Sequence, residues 1–401
     1  MAIEMNNKMI TNNHKELVLI RSAEAAPYLT VGSKSYLKDQ LVGKRNGTEY
    51  EFVIRDAGEY VEGMDITGHV STLKERPVKL SVELGNIAID TNLVERVTEM
   101  KWDDEVAKPN GEKIAKGLVK ATIAKDLGKQ NTAFVGVGWM PLFKASNFLE
   151  SVTSESQYAF LDPMIQSICR STGKDFEPAD KEGVDPIYRK GLKGTIAEAE
   201  VRAQQGMPTI EISEDLANEL SSATVSSYVT GATYDTLNLS GVTETIPAGT
   251  PLFVKGVMAC DLVGEETSAP KAFIAIEDAT SGAVHVRKVD FDGVGTKEAS
   301  KKPAASDKLV NPIGAGVYFT GIFRVNGAME FDTLPELDWS NADSRVTSPN
   351  GITLHEGRAV DVITGSNKTR WAIASIAGII EPRVCAYVCV KDATANVVSV
   401  L

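Results

Sequence analysis

Cysteine is scarce: four in 401 residues cannot make a disulfide framework for a chain this long. Nothing near the N-terminus has the basic, apolar and small-residue blocks of a signal peptide, so a reducing compartment is expected. Long hydrophobic runs are missing as well. The longest nearly apolar stretch, Trp371 to Ile380, is far below the ~20 residues that span a bilayer, and no membrane location is expected. Positive charge is in deficit, with 42 Lys and Arg against 54 Asp and Glu and a formal charge of −12. A surface of that sign repels phosphate backbones unless a local basic patch overrides it, and no run of the sequence forms one. What is left is ordinary globular composition, 43% hydrophobic and 24% charged, in a chain long enough for two or three domains.

Catalytic signatures are the next absence. The histidines His14, His69, His285 and His355 are scattered, and none sits in an HExxH or beside a GxSxG. A P-loop needs GxxxxGK followed by Ser or Thr, so that backbone amides wrap the phosphates while the lysine reaches them. In "YRKGLKGTIAEAEVRAQQGMPTI", Tyr188 to Ile210, Lys193 precedes Gly194 and the glycines are too close together. The stretch reads instead as a flexible loop that turns through Gly191 and Gly194, enters an Ala- and Glu-rich helix from Thr195 to Gln205, and stops at Gly206-Met207-Pro208. "DFDGVG", Asp290 to Gly295, is a fragment of a calcium loop without its third acidic position or bidentate Glu, and reads as a hairpin turn. Cys385 and Cys389 share a face of a predicted strand, but no second pair completes a tetrahedral zinc site, so buried, unpaired thiols are expected. No catalytic residue, cofactor or metal site is assigned, and the protein is not expected to be an enzyme.

The text that is present is patterned. In "TEYEFVI" Tyr50, Phe52 and Ile54 alternate with Glu49, Glu51 and Arg55, the period of a half-buried strand. "VKLSVEL" repeats this with Val78, Leu80, Val82 and Leu84. Between them Asp56 to Pro77 is charged, glycine-bearing and too long for a hairpin turn of about 2–5 residues, so it reads as a projecting tip. A two-stranded ribbon alone is marginal in water, because one apolar face stays wet. The cover comes either from the same chain or from a neighbouring subunit.

From Thr91 to Val135 the period becomes helical, in two halves punctuated by Pro109-Asn110-Gly111, with Asn110 as a candidate cap for a helix from Glu112 to Leu127. More helical text is predicted around Phe148 to Ser171. Beyond Ser221, short β-type runs separated by glycines predict a small barrel or sandwich at roughly 222 to 330. Within it the lysine-rich "GVGTKEASKKPAASDK", Gly293 to Lys308, reads as a mobile loop.

This order of parts resembles the major capsid proteins of tailed bacteriophages, most closely the coat-protein type of short-tailed phages that carries an inserted β-barrel. The resemblance rests on "LSVELGNIAIDTNLVER" (Leu80 to Arg96), on Tyr188 to Ile210, on "TLNLSGVTETIPAGTPLFVKGV" (Thr236 to Val257) and on "TRWAIASIAGIIEP" (Thr369 to Pro382). It covers most of the chain from about Asn46 onward. It implies an α+β capsid fold, also called the Johnson fold, with an N-terminal arm at 1–45 and an extended β-ribbon loop at 46–90. A spine helix with peripheral and axial domains follows at 91–221, then the inserted barrel at 222–330 and a return to the axial and peripheral domains at 331–401. The implied function is a structural subunit that self-assembles, as hexamers and pentamers, into an icosahedral shell around double-stranded DNA held without sequence-specific binding. Scaffolding and portal proteins are the other implied partners, and the implied location is the virion capsid, with host cytoplasm during assembly. The implied intersubunit contacts are Tyr50, Phe52 and Ile54 on the apolar side, and Asp56, Glu59, Glu62, Lys74, Glu75 and Arg76 as charges that set register. An encapsulin-like compartment shell, or a cytosolic ligand-binding protein or enzyme using the β-domain, are the alternatives.

Overall fold

The computed structural model describes residues 26–34, 42–46, 49–55, 75–92, 108–172, 194–293, 296–310, 313–333, 344–347, 353–360 and 366–392. The chain divides into two compact units, both discontinuous in sequence.

The first unit is organised around strand β19 (Ser366–Ile379). Strand β4 (Glu75–Asn92) zips antiparallel to it, from Asn92 opposite Ser366 to Val82 opposite Ile376. Beyond β4 lie β3 (Glu49–Arg55) and β2 (Val42–Asn46). On the other side β18 (Thr353–Val360) pairs with the first half of β19 and carries β17 (Ser344–Thr347). Strand β16 (Met329–Thr333) also borders β19 and takes β1 (Ser33–Lys34) in parallel. Every residue from Trp371 to Ile380 is buried, so the apolar run is a strand covered on both faces, which has no need to alternate. Trp371 keeps its indole N–H satisfied by donating to Glu356 Oε2 at 3.1 Å on the neighbouring strand.

Helix α2 (Lys108–Asp126) follows the short helix α1 (Pro27–Thr30) in the chain. It buries Ile114, Leu118, Val119 and Ile123 and exposes Lys113, Lys116 and Lys120, the stripe that the periodicity predicts. It begins at Lys108, so Asn110 lies inside the first turn and is not the cap. Proline suits that turn because its missing N–H would be unpaired there anyway. The helix meets β4 at Gly85, where an added Cβ would sit 2.8 Å from Leu118 Cγ. Only glycine allows that approach.

The second unit holds a mixed sheet in the order β5 (Thr132–Val137), β20 (Cys385–Lys391), β15 (Gly316–Val325), β6 (Gln157–Leu161), β8 (Ala199–Ala203), β7 (Gly194–Ile196), with β9 (Thr209–Ile212) also on β15. Helices α3 (Met140–Val152) and α4 (Pro163–Thr172) contribute Leu142, Leu149, Ile165 and Ile168 to the core on this sheet. Two helical expectations are corrected here. The stretch Phe148 to Ser171 is interrupted by β6, whose Ala159, Phe160 and Leu161 are fully buried. Thr195 to Gln205 is not a helix but the β7–β8 hairpin, turning at Ala197 with φ 52°. Helix propensity differs by well under 1 kcal/mol per residue. Burying Ile196, Ala199 and Val201 on one face while Arg202 stays outside, with β8 parallel to β6, outweighs it. Residues 188–193 of the same stretch lie outside the described residues.

Between β9 and β15 the chain forms helix α5 (Glu214–Ser222), capped by the Ser213 hydroxyl accepting from the Leu216 N–H at 3.1 Å. A sheet of β10 (Thr224–Val229), β11 (Asp235–Ser240) and β14 (Ala283–Val286) follows, with a hairpin of β12 (Pro251–Cys260) and β13 (Glu266–Ile274). The expected mobile loop, Gly293 to Lys308, is pinned by backbone bonds at residues 298–300 and 306–308. Ser300 N–H donates to Met258 O at 2.9 Å, Cys260 N–H to Glu298 O at 3.0 Å, and Lys255 N–H to Lys308 O at 2.9 Å. Val225 N–H donates to Asp307 O at 2.8 Å. Composition registers lysines and small residues, but not the two strand edges they pair with. Ile276, just past β13, donates to His285 O of β14 at 3.0 Å. The hydrogen bonds therefore run from β13 through β12, the 298–310 segment, β10, β11 and β14, and back to the end of β13.

Candidate functional site

Of the residues expected to face a partner, Tyr50 and Phe52 on β3 are 8% and 3% exposed in the single chain. Of the two covers the ribbon admits, the chain itself supplies the one over these two rings, and the energy of burying them does not depend on a second copy. Ile54 belongs to β3 and Glu75 and Arg76 to β4 by backbone, but their side chains lie outside the described residues. So do Asp56, Glu59, Glu62 and Lys74.

The described residues do converge where the β10–β14 region joins the mixed sheet. Lys271 on β13 donates to Asn131 Oδ1 at 2.9 Å and lies 3.5 Å from Glu298 Oε2, with both charged side chains at 2–3% exposure. Asn131 in turn donates through Nδ2 to Cys260 O at 2.8 Å and accepts from Ala272 N–H at 3.2 Å. Thr132 donates its hydroxyl to Pro270 O at 2.8 Å. Arg383, in the single 3₁₀ turn before β20, is held by Glu381 and donates to Leu262 O at 3.0 Å. Burial pulls the Arg383 guanidinium downward, but bonding to Glu381 prevails and holds it above its ordinary value. Buried charges persist only when paired and hydrogen-bonded. This cluster meets that condition and locks strands β12 and β13 in place.

A second anchor lies at the end of α2. Gly128, at φ +85°, ends the helix, and Arg287, just after β14, donates to Leu127 O at 3.1 Å and Lys125 O at 2.6 Å. A cation on the last carbonyls of a helix satisfies orphan acceptors and opposes the negative end of the dipole.

Next to these anchors a groove of about 440 Å³ opens between β5, α3 and β12. Its walls are apolar, including Val135, Phe253, Val257, Met258 and Val310, and Lys144 and Lys255 stand at its rim. Both lysines are exposed. A register shift in β12 between Phe253 and Met258 shapes the groove's edge, with Gly256 at φ +75°. A Cβ on Gly256 would lie 3.3 Å from Lys301 Nζ, which adds a third cation nearby. On α3, Met140 and Phe143 precede Lys144 on the solvent face at 60% and 42% exposure.

Chemistry of other kinds finds little here. All four thiols are buried, and burial pushes Cys169 up to about 12 and raises Cys385 and Cys389 as well, so none is a nucleophile near neutrality. The Asp290 carboxylate is occupied by its own loop, accepting from Asp292 N–H and Gly293 N–H at 3.1 Å each and from the Thr296 hydroxyl at 2.6 Å. Among the described residues no three His, Cys, Asp or Glu side chains converge as metal ligands, and no helix is long and apolar enough to cross a membrane.

No family model and no curated protein matches the sequence. Among solved structures the chain is similar to one from Mycobacterium phage Che8, at 11% identity and a TM-score of 0.45, over 90% of each chain. It is similar to the acid-stable capsid structure of Helicobacter pylori bacteriophage KHP30, at 8% identity and a TM-score of 0.44, over 85% of each. A virus-like particle from Pyrococcus furiosus is similar at 9% identity and a TM-score of 0.39, over 94% of this chain and 98% of that one.

The groove and its lysines escaped sequence reading because Lys144, Lys255 and Lys301 are far apart in the chain and each stands in mixed local text. The register shift that sets the edge has only one sequence signal, the glycine inside the apolar run "PLFVKGV".

Proposed function

We propose that the protein is the structural subunit of an icosahedral shell of the tailed-phage type, assembling with copies of itself around packaged double-stranded DNA and performing no catalysis. The observation that carries this reading is the order of the parts. An eighteen-residue ribbon strand, β4, leads to the nineteen-residue helix α2, about 28 Å long at 1.5 Å per residue, and Gly85 seats that helix on the strand. A mixed sheet, an insertion of short strands and two returning C-terminal strands, β19 and β20, complete the order implied by the resemblance of Leu80 to Arg96 and Thr369 to Pro382. The circuit of hydrogen bonds through β10 to β14 supports reading 222–330 as a small closed barrel inserted in the axial domain. The anchors at Lys271, Arg383 and Arg287 support a rigid attachment for it.

In this reading the ribbon tip, Asp56 to Pro77, supplies contacts between subunits, with the charges of Asp56, Glu59, Glu62, Lys74, Glu75 and Arg76 setting register more than affinity. Weak contacts repeated around a closed symmetric shell give a stable particle while errors remain reversible during growth. Scaffolding and portal proteins are the further partners, and the shell takes its place in the virion after assembly in host cytoplasm. Sedimentation velocity and electron microscopy of the purified protein test this: shells of megadalton mass are expected. A monomer that persists at high concentration, with a melting temperature that shifts on adding a small ligand, would overturn it.

A further inference from the structure

We propose that the open edge of β5 is a docking site for an extended strand of another protein, one whose apolar residues alternate with carboxylates. The inference goes beyond the shell reading and does not depend on it. Three observations lead to it, all on described residues.

The first is an edge without protection. Strand β5 ends the mixed sheet: β20 pairs with one side of it, and no strand pairs with the other. Contacts on the far side stop at its start, where Asn131 O accepts from Ala272 N–H at 3.2 Å and the Thr132 hydroxyl reaches Pro270 O. Beyond them, in "AFVGV", Ala133 to Val137, alternate residues turn N–H and C=O groups outward along the edge. Natural edges are blunted with charge, proline, bulges or brevity, because a bare row of donors and acceptors is a template for pairing. β5 has six residues, no charge and no proline, and its register with β20 is unbroken.

The second is space along that edge. Ala133, Phe134 and Val135 line the groove together. Successive side chains of a strand point to opposite faces, so three consecutive residues share a groove only where it runs along the strand's edge. Across the groove β12 departs from its partner: Phe253 pairs with Ala272 and Met258 with Pro270, so Val254 to Val257 stand against Lys271 alone. Such a bulge bends its strand. The slot between β12 and β5 measures about 440 Å³, and Phe253, Val257, Met258 and Val310 give it apolar walls for alternate side chains of an entering strand.

The third is charge. On a chain with a formal charge of −12, the groove's rim presents Lys144 and Lys255, with Lys301 beside Gly256. Nucleic acid would meet the lysines but leave the apolar walls and the backbone edge unused. A strand with carboxylates between its apolar residues uses all three: main-chain bonds give affinity, and the walls and rim give specificity. The described strands of this chain with that pattern, β3, β9 and β16, are already built into its own sheets. Pairing β5 with β5 of a second copy would bring two cationic rims together. The occupant is therefore assigned to a different protein.

The probe is a fluorescent hexapeptide in which valine alternates with glutamate, titrated into the dilute full-length protein and followed by anisotropy. Saturable binding is expected, with the amides of Ala133 to Val137 gaining protection from hydrogen exchange. Methylating every second peptide nitrogen should weaken binding by about tenfold or more in one phase and little in the other, because only one side of a strand pairs with the edge. Lys144→Glu with Lys255→Glu should weaken binding by about tenfold and transfer the preference to a peptide alternating valine with lysine. The proposal is overturned by absence of saturable binding, by equal effects of the two methylation phases, or by protection that appears away from β5. Protection of β5 in the protein alone that disappears on dilution assigns the edge to a second copy and overturns it too. The methylated peptides need no variant, so they decide alone if the charge-reversed chain fails to match the parent's melting temperature. Each of these outcomes leaves the shell reading standing.

Discussion

At the residue scale, the positions that matter most are those with least room. Gly85 faces Leu118 Cγ at 2.8 Å from where a Cβ would stand, so Gly85→Val must push β4 from α2 or force Leu118 off its rotamer. Overpacking of this kind costs about 1–3 kcal/mol, and a lower urea midpoint at unchanged m-value would register it. The buried thiols give a pH prediction. Burial raises Cys169 from 9.0 to about 12, so the folded state holds a proton that the unfolded state releases above about pH 9. The contribution is complete below that pH and is lost as pH climbs toward 12. Denaturation midpoints of the parent should therefore fall faster above pH 9 than those of Cys169→Ala. Burial of Cys385 and Cys389 was expected from the sequence, whereas that of Cys169 was not; nor was the glycine's role, because Leu118 is thirty-three residues away and nothing local marks their contact.

At the element scale, α2 was legible because a helix with one buried face repeats every three to four residues regardless of what it packs on. Its C-terminal partner was invisible. Arg287 reaches Lys125 O and Leu127 O from the end of β14, so Arg287→Ala should fray the last turn of α2. The expected loss is about 1–2 kcal/mol from the two carbonyl bonds and the dipole term, with faster hydrogen exchange concentrated at Ile123 to Leu127. Arg287→Lys should recover little, since one ammonium cannot hold both carbonyls as the planar fork does. The β7–β8 hairpin shows the converse failure: its alanines and glutamates are helix formers, and only the vacant edge of β6 makes them a strand.

At the scale of the molecule, neither unit is continuous in sequence. Strand β4 depends on β19, and both β5 and β15 depend on β20. A fragment ending at Ala328 should therefore lack a cooperative thermal transition and expose apolar surface, even though it retains four-fifths of the chain. Dye binding and circular dichroism check this; a fragment melting as sharply as the whole protein would mean the C-terminal strands are ornaments on an independent core. Such non-local pairing also predicts slow folding, since the loop entropy is spent before the contacts form.

By itself the sequence determined the periodicities: a half-buried ribbon, an amphipathic helix, a dense apolar run near the C-terminal end and a region of short strands between glycines. These are readable because each follows from a residue's near neighbours and the geometry of one element. The tertiary structure alone decided which edges pair, that the lysine-rich segment at 296–310 is stitched down, that Tyr50 and Phe52 are covered by their own chain, and that scattered lysines share one rim. Those outcomes depend on contacts between residues tens to hundreds of positions apart, where burial and hydrogen bonding outweigh local preference and no local pattern records the partner.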